Sequence, residues 1–179
     1  MAEALEVQKN RVQDVQFVFL HGSITEDSVL DSIESGGAKT MVIDLAKVTR
    51  INSYGIRQWI NHLKKIHETT PNLVFTRCPP SIVEQFNMIS NFGADGVVYS
   101  FYLPFYSESQ DKDELVLFDA GSNPGMGYEE IIASCVSRLD PAAKFVFNDI
   151  EDEYFSFLQL QKSKTLSPEI AALIQQHCV

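Results

Sequence analysis

Stretches of the first hundred residues alternate between apolar and polar positions in the way that β-strands do. Residues 15–20 alternate and are mostly β-branched or aromatic, which predicts a strand leading into a turn at Gly22. Residues 41–45 form a short apolar run, which is typical of a central strand covered on both faces. Two further strands are predicted at residues 73–76 and 97–102.

Segments with helical periodicity separate these strands. The clearest helix follows Ser53, where apolar residues lie on one stripe and polar residues lie opposite. A helix at residues 26–35 is predicted to end at the glycine pair 36–37, and another at residues 81–92 follows two prolines. The apolar stripe of the clearest helix consists of Ile56, Trp59, Ile60, Leu63 and Ile66. Strands separated by single helices predict an α/β fold with a mostly parallel or mixed sheet and right-handed crossover helices.

The sequence changes character after residue 106. Residues 107–114 are polar and acidic, and residues 121–125 have the composition of a turn. The elements predicted beyond them are a helix at residues 128–139, aromatic strand or core segments at residues 145–147 and 154–158, and a terminal helix capped by Ser167 that continues to Ile174. We therefore expect a first domain of residues 1–106 and a small α+β C-terminal appendage of residues 107–179.

The distribution of charge supports this division. The chain has 179 residues with 14 Lys and Arg and 24 Asp and Glu, so its formal net charge is −10. Residues 1–100 carry 9 basic and 11 acidic side chains, a net charge of −2, whereas residues 101–179 carry 5 and 13, a net charge of −8. An acidic chain repels phosphate backbones, so we expect no direct binding to nucleic acid.

Two features of the sequence indicate the compartment. The chain has no run of about 18 apolar residues and no basic-then-apolar start, so we expect a cytoplasmic protein that does not span the membrane. Cys78, Cys135 and Cys178 form no short-spaced pair, and their odd number argues against a disulfide framework. The cysteines are predicted to be reduced and mostly buried thiols.

A short motif lies at the start of the clearest helix. Asp-Leu at residues 44–45 and Val48 precede residues 51–56, which read Ile-Asn-Ser-Tyr-Gly-Ile. This order resembles the central motif of STAS domains, the fold of anti-sigma-factor antagonists, which typically have Asp-Leu after a strand and Asp-Ser-Ser-Gly-Leu at the helix start. The predicted order of elements over residues 1–106 is also similar to that fold, and nothing comparable covers residues 107–179.

The resemblance implies a non-enzymatic regulatory protein in signal transduction. In anti-sigma-factor antagonists, a partner kinase phosphorylates the serine after the Asp, and phosphorylation weakens binding to that partner. The matching residue here is Ser53. The implied docking surface for a serine kinase, an anti-sigma factor or another ATPase-type regulator consists of Asn52, Ser53, Tyr54, Gly55 and Arg57. Two residues depart from the family pattern, because Asn52 replaces an Asp and Tyr54 replaces a small residue.

Ser53 also has a simpler interpretation. It precedes the apolar stripe by three positions, so its hydroxyl would cap the helix and contribute about 1 kcal/mol without any regulatory role. A phosphate there would instead add about 1.5 to 2 negative charges beside the positive end of the helix. The chain is then either a regulator switched at Ser53 or a constitutive interaction subunit, for example an accessory to a transporter ATPase. No set of nucleophile, base and orienting residue indicates an enzyme, and no cofactor is predicted.

One further hypothesis concerns the appendage. Ser107, Gln110, Cys135 and Arg138 stand where a zinc ribbon would carry four cysteines, so one ligand remains and we expect no bound metal. Aromatic packing would then replace the stabilisation that the ion supplies. The aromatic residues concerned are Phe145, Phe147, Tyr154, Phe155 and Phe157.

Overall fold

Five strands form the larger of two β-sheets in the computed structural model, which describes residues 3–161 and 164–178 of the chain. The strands are β1 (Glu6–Val12), β2 (Val15–Ile24), β3 (Thr40–Ile51), β4 (Asn72–Thr76) and β5 (Val97–Val98), and they lie in this order across the sheet. β1 runs antiparallel to β2, and the other neighbours are parallel. β2 continues through Gly22, so the turn predicted there is wrong. Gly22 instead has a positive φ of 105° at an irregularity in the strand pairing.

Two helices connect the parallel strands and confirm the α/β class. α1 (Ser53–His67) follows β3, and α2 (Pro80–Met88) follows β4. The predicted apolar stripe of α1 faces inward, with Trp59 and Leu63 fully buried. α2 is shorter than the predicted helix because Ile89 leaves the helical conformation.

A second sheet of three antiparallel strands follows. Its strands are β6 (Ser100–Ser107), β7 (Lys112–Asp119) and β8 (Val146–Phe147), with β6 in the centre. The single strand predicted at residues 97–102 is therefore divided between the two sheets, with Tyr99 at the junction. The Tyr99 N–H donates to the Phe75 carbonyl in β4, whereas the Tyr99 carbonyl accepts from Gly121 after β7.

Four α-helices lie beyond β7 in the described part of the chain. They are α3 (Tyr128–Val136), α4 (Glu151–Tyr154), α5 (Ser156–Gln161) and α6 (Pro168–His177). The helices predicted at residues 128–139 and after Ser167 are confirmed. The segment at residues 154–158 is helical, not extended, and its aromatic residues Tyr154, Phe155 and Phe157 are buried as expected of a core segment. Within residues 3–161 and 164–178, no helix is both long enough and apolar enough to cross a membrane.

Helices cover both faces of the larger sheet. On one face, Ile43 of β3 belongs to the same hydrophobic cluster as Trp59 of α1. On the other face, Val42 belongs to a smaller cluster with Ile174 of α6. The first cluster continues into β6, β7 and α3, so hydrophobic packing crosses the predicted boundary after residue 106. The division into two domains itself stays a prediction.

The helix predicted at residues 26–35, all of which the structure describes, does not form, and a 3-10 turn at Leu30–Ser32 takes its place. Thr25 and Ser28 form a turn instead, in which Ser28 Oγ accepts from the Thr25 N–H at 2.8 Å and the Ser28 N–H donates to the Thr25 carbonyl at 3.1 Å. Ile33 is nevertheless fully buried. Leu30 and Ile33 therefore reach the core without a helix.

Candidate functional site

The start of α1 is capped by Asn52 and not by Ser53. Asn52 is extended, with φ −105° and ψ 172°, and its Oδ1 accepts from the Gly55 N–H at 2.8 Å. Ser53 is the first helical residue, so the predicted cap by its hydroxyl is wrong. The parallel pairing of β3 with β2 continues to Ile51, which leaves Asn52 as the residue at the chain reversal.

The Asn52 side chain also holds the loop that follows β2. Its Nδ2 donates to Glu26 Oε2 at 2.6 Å, and Gln58 Nε2 donates to the Glu26 carbonyl at 3.2 Å. The hydrogen bond from Asn52 lowers the pKa of Glu26. An aspartate at position 52 would be unable to donate this bond and would place a second carboxylate beside Glu26. The contact explains why asparagine, and not the aspartate typical of STAS domains, fits at this position.

Gly55 lets α1 approach the end of β2 closely. A β-carbon at residue 55 would lie 2.6 Å from the carbonyl carbon of Ile24 and closer still to its oxygen. The Asn52 N–H donates to the same Ile24 oxygen at 3.1 Å. Gly55 is buried. This residue therefore positions the helix and has no side chain to offer a partner.

Three of the predicted docking residues face the solvent. Ser53 and Arg57 are exposed, and Tyr54 is 68% exposed. Within the described ranges, no hydrogen bond joins the Ser53 hydroxyl to another residue. Residues three and four apart on a helix are neighbours, so Arg57 lies on the same side as both Ser53 and Tyr54. The first turn of α1 therefore presents a hydroxyl, a phenol and a guanidinium group together.

Val29 is a surface residue that the sequence analysis did not identify. The predicted helix at residues 26–35 placed Val29 on its apolar face, but the observed loop leaves it 71% exposed. The loop lies along α1, since His62 Nε2 is 2.7 Å from the Ile33 carbonyl oxygen and Gln58 contacts the loop one turn earlier. An exposed apolar side chain beside α1 extends the surface that a partner would contact.

Replacing Asn52 with alanine is expected to lower the free energy of unfolding by about 1 kcal/mol, because the Gly55 N–H loses its acceptor. Ser53→Ala is the matched control and should change this free energy by less than about 0.5 kcal/mol, as at other surface positions. Urea denaturation followed by the fluorescence of Trp59, the sole tryptophan, measures both values. Equal losses in the two variants would contradict the assignment of Asn52 as the cap.

An ion pair between the buried Asp44 and the partly buried Arg77 lies where the pairing of β3 with β4 ends. Arg77 donates to Asp44 through Nε at 2.7 Å and through Nη2 at 3.1 Å. Thr76 Oγ1 donates to the same carboxylate at 2.9 Å. Asp44, the aspartate of the STAS-like Asp-Leu pair, is only 3% exposed. Its side chain is therefore occupied within the fold and does not contribute to the surface around Ser53.

The four positions that resemble a zinc ribbon lie on a turn and a helix. Ser107 is the last residue of β6 and Gln110 lies in the turn before β7, and Ser107 Oγ accepts from the Gln110 N–H at 3.3 Å. Cys135 lies in α3, not in a hairpin, and Arg138 Nη2 contacts its sulfur at 3.2 Å. Among the residues that the structure describes, no group of three or more His, Cys, Asp and Glu is placed to hold a metal ion. Aromatic packing is present, with ring centroids 5.3 to 5.6 Å apart among Phe147, Tyr154 and Phe155.

The three cysteines, Cys78, Cys135 and Cys178, are all buried, which confirms that part of the prediction. Burial raises the pKa of each thiol, and that of Cys178 reaches about 11. A thiol with a raised pKa stays protonated near neutral pH and is a poor nucleophile. The cysteines therefore act as small apolar core residues.

No protein-family model matches the sequence, and the search of curated proteins finds no match either. The fold itself is α/β with a mixed sheet of five strands.

Proposed function

We propose that the chain is a cytoplasmic, non-enzymatic regulatory protein with a STAS-like domain similar to anti-sigma-factor antagonists. Its docking surface is the start of α1, and its partner is a serine kinase, an anti-sigma factor or another ATPase-type regulator. The observation that carries the proposal is the exposed Ser53 hydroxyl, which caps nothing and lies beside the exposed ring of Tyr54. Asn52 caps the helix start that carries these two side chains, and Gly55 lets this helix start pack closely against β2.

Phosphorylation of Ser53 would change the surface and leave the fold intact. A phosphate adds about 1.5 to 2 negative charges, and the free N–H groups at the start of a helix favour an anion there. The Arg57 guanidinium, one turn along, is exposed and available to pair with it. A partner that covers Ser53 with apolar or acidic groups would then have to desolvate a dianion, so the complex would weaken.

Tyr54 supplies the apolar part of the proposed contact. Tyrosine is one of the residues that carry most of the binding energy in protein interfaces, since its ring buries a large area and its hydroxyl still forms a hydrogen bond. Val29 lies on the neighbouring loop with its side chain exposed. The loop contacts α1 at Gln58 and His62, so Val29 would extend the proposed contact along the helix.

Ser53→Asp and Tyr54→Ala are each expected to reduce partner binding by tenfold or more, a loss of about 1.4 kcal/mol. The partner is first isolated from the source cell with the immobilised wild-type chain and identified, and its dissociation constants are then measured by calorimetry. Ser134→Asp is the matched control, because Ser134 is an exposed helical serine on α3. Wild-type affinity in both site variants would refute the docking surface.

The second candidate function is a constitutive interaction subunit, such as an accessory to a transporter ATPase. The contact of Asn52 with Glu26 favours it, because Asn52 serves as a cap and leaves no acid directly before Ser53. Mass spectrometry of protein from its own cell distinguishes the two functions. A gain of about 80 Da located on Ser53 within the tryptic peptide of residues 51–57 indicates the switch. An unmodified peptide under all growth conditions indicates the constitutive subunit.

A further inference from the structure

The second sheet has two faces of different character. Alternate residues of β6 point inward, and Phe101, Leu103 and Phe105 are fully buried in the core. The side chains between them point to the other side, together with their partners across the sheet. We call this side the outer face, and it consists of Tyr102, Pro104, Tyr106, Leu115, Leu117 and Val146.

The outer face is apolar although it lies outside the core. Leu115 is 52% exposed and Val146 is 61% exposed, and the other four residues are partly exposed. None of the six belongs to either hydrophobic cluster or packs against one. Antiparallel sheets usually place polar residues on a solvated face. A contiguous set of aromatic and aliphatic side chains there is typical of a protein interaction site.

Acidic residues border this face. Asp113 follows the outer-face alternation of β7 and lies opposite Tyr106, whose hydroxyl donates to Asp111 at 2.9 Å. The hydrogen bond to Asp111 and, to a smaller extent, the charge of Asp113 raise the pKa of the Tyr106 hydroxyl, so both carboxylates lie close to it. Asp119, at the other end of β7, lies on the same side of the sheet as Asp113 by the alternation of the strand. Residues 101–179 as a whole carry a net charge of −8.

The acidic residues beside the outer face indicate which kind of partner fits it. A second copy of the chain would bring its own acidic border against this one, and like charges across an interface cost affinity. A segment with Lys or Arg beside its apolar side chains would pair with Asp111 and Asp113 while it covers the leucines and tyrosines. Addition of a strand to the edge of β7 is disfavoured, because Arg138 already donates to the Leu117 carbonyl.

We propose that the outer face is a docking surface for a basic, apolar segment of another protein. It is separate from the surface around Ser53, and the chain would join two proteins through two surfaces. Binding here does not require phosphorylation and weakens as salt screens the acidic border.

Synthetic peptides selected from a random phage-displayed library against the immobilised full-length chain are the probes. The selected peptides are expected to combine Lys or Arg with aromatic or aliphatic residues. Leu115→Lys and Asp113→Lys should each weaken their binding by tenfold or more, because both changes put a positive charge where the peptide is basic. Met88→Lys is the matched control, since Met88 on α2 is also an exposed apolar residue, and this variant should bind the peptides as the wild type does.

Several results would overturn the proposal. One is a selection that enriches no peptide, or only peptides without basic residues. Another is unchanged binding to Leu115→Lys by peptides that bind the wild-type chain. The last such result would come from analytical ultracentrifugation. If the wild-type chain is a dimer and Leu115→Lys dissociates it, the outer face binds a second copy of the chain. Ser53→Asp should leave peptide binding unchanged, which keeps this test independent of the proposed switch.

Discussion

Arg77→Met is expected to lower the free energy of unfolding by about 3 to 5 kcal/mol. The substitution leaves the Asp44 carboxylate buried without its two hydrogen bonds from the guanidinium group. The Thr76 hydroxyl and the Ala46 N–H, which still donate to Asp44, do not replace a positive charge for a carboxylate that is almost wholly removed from water. Urea denaturation followed by Trp59 fluorescence measures the loss.

Lys9→Met is the matched control for the Arg77 variant. The Lys9 ammonium is also 2.7 Å from a carboxylate, that of Glu34, but both side chains are exposed. We expect this substitution to cost less than about 1 kcal/mol, because exposed ion pairs contribute little. The double variant Asp44→Leu with Arg77→Met should recover part of the loss, since it leaves no buried charge. A loss with Arg77→Met as small as that with Lys9→Met would show that Asp44 is not held by the ion pair.

Helix α1 was accessible to prediction because its signal is local. Trp59 and Leu63 repeat with the period of a helix, and the same stripe is buried in the structure. The strands at residues 41–45 and 73–76 are mostly apolar, with Asp44 and Thr76 as the exceptions, and such runs are typical of strands covered on both faces. Neither interpretation needs knowledge of what lies beside the segment in space.

The elements that were missed or misassigned depend on contacts distant in sequence. Residues 115–118 of β7 are apolar, but the strand begins with charged residues at its exposed end and is defined by its pairing with β6. The strand at residues 97–102 divides at Tyr99 because that residue bonds to β4 on one side and to the loop after β7 on the other. At residues 26–35 Leu30 and Ile33 are buried by a loop that packs along α1, a contact that no local pattern indicates.

The capping residue of α1 differed from the prediction by one position. Asn52 and Ser53 are both good N-cap residues, so composition does not separate them. The pairing of β3 with β2 up to Ile51 decides the matter, because the chain can only turn after the last paired residue. The consequence for function is large, since the Ser53 hydroxyl becomes available for modification instead of being bound within the helix.

Gly55→Ala is expected to lower the free energy of unfolding by about 3 kcal/mol, near the upper end for overpacking. The new β-carbon meets the backbone of Ile24, which cannot rotate away as a side chain does. Either the start of α1 moves outward or the end of β2 shifts, and both movements strain the Asn52 N–H bond to the Ile24 oxygen. Urea denaturation measures the loss.

Gly127→Ala is the matched control, because a β-carbon at residue 127 meets nothing within 4 Å and its φ of −73° suits alanine. It should cost at most about 1 kcal/mol, the difference between glycine and alanine as N-caps. Since Gly55 sets the position of Ser53 and Tyr54, its variant should also bind the proposed partner less tightly, although no exposed side chain has changed. A Gly55→Ala chain as stable as Gly127→Ala would show that α1 does not depend on close contact with β2, and the position of Ser53 would then need another cause.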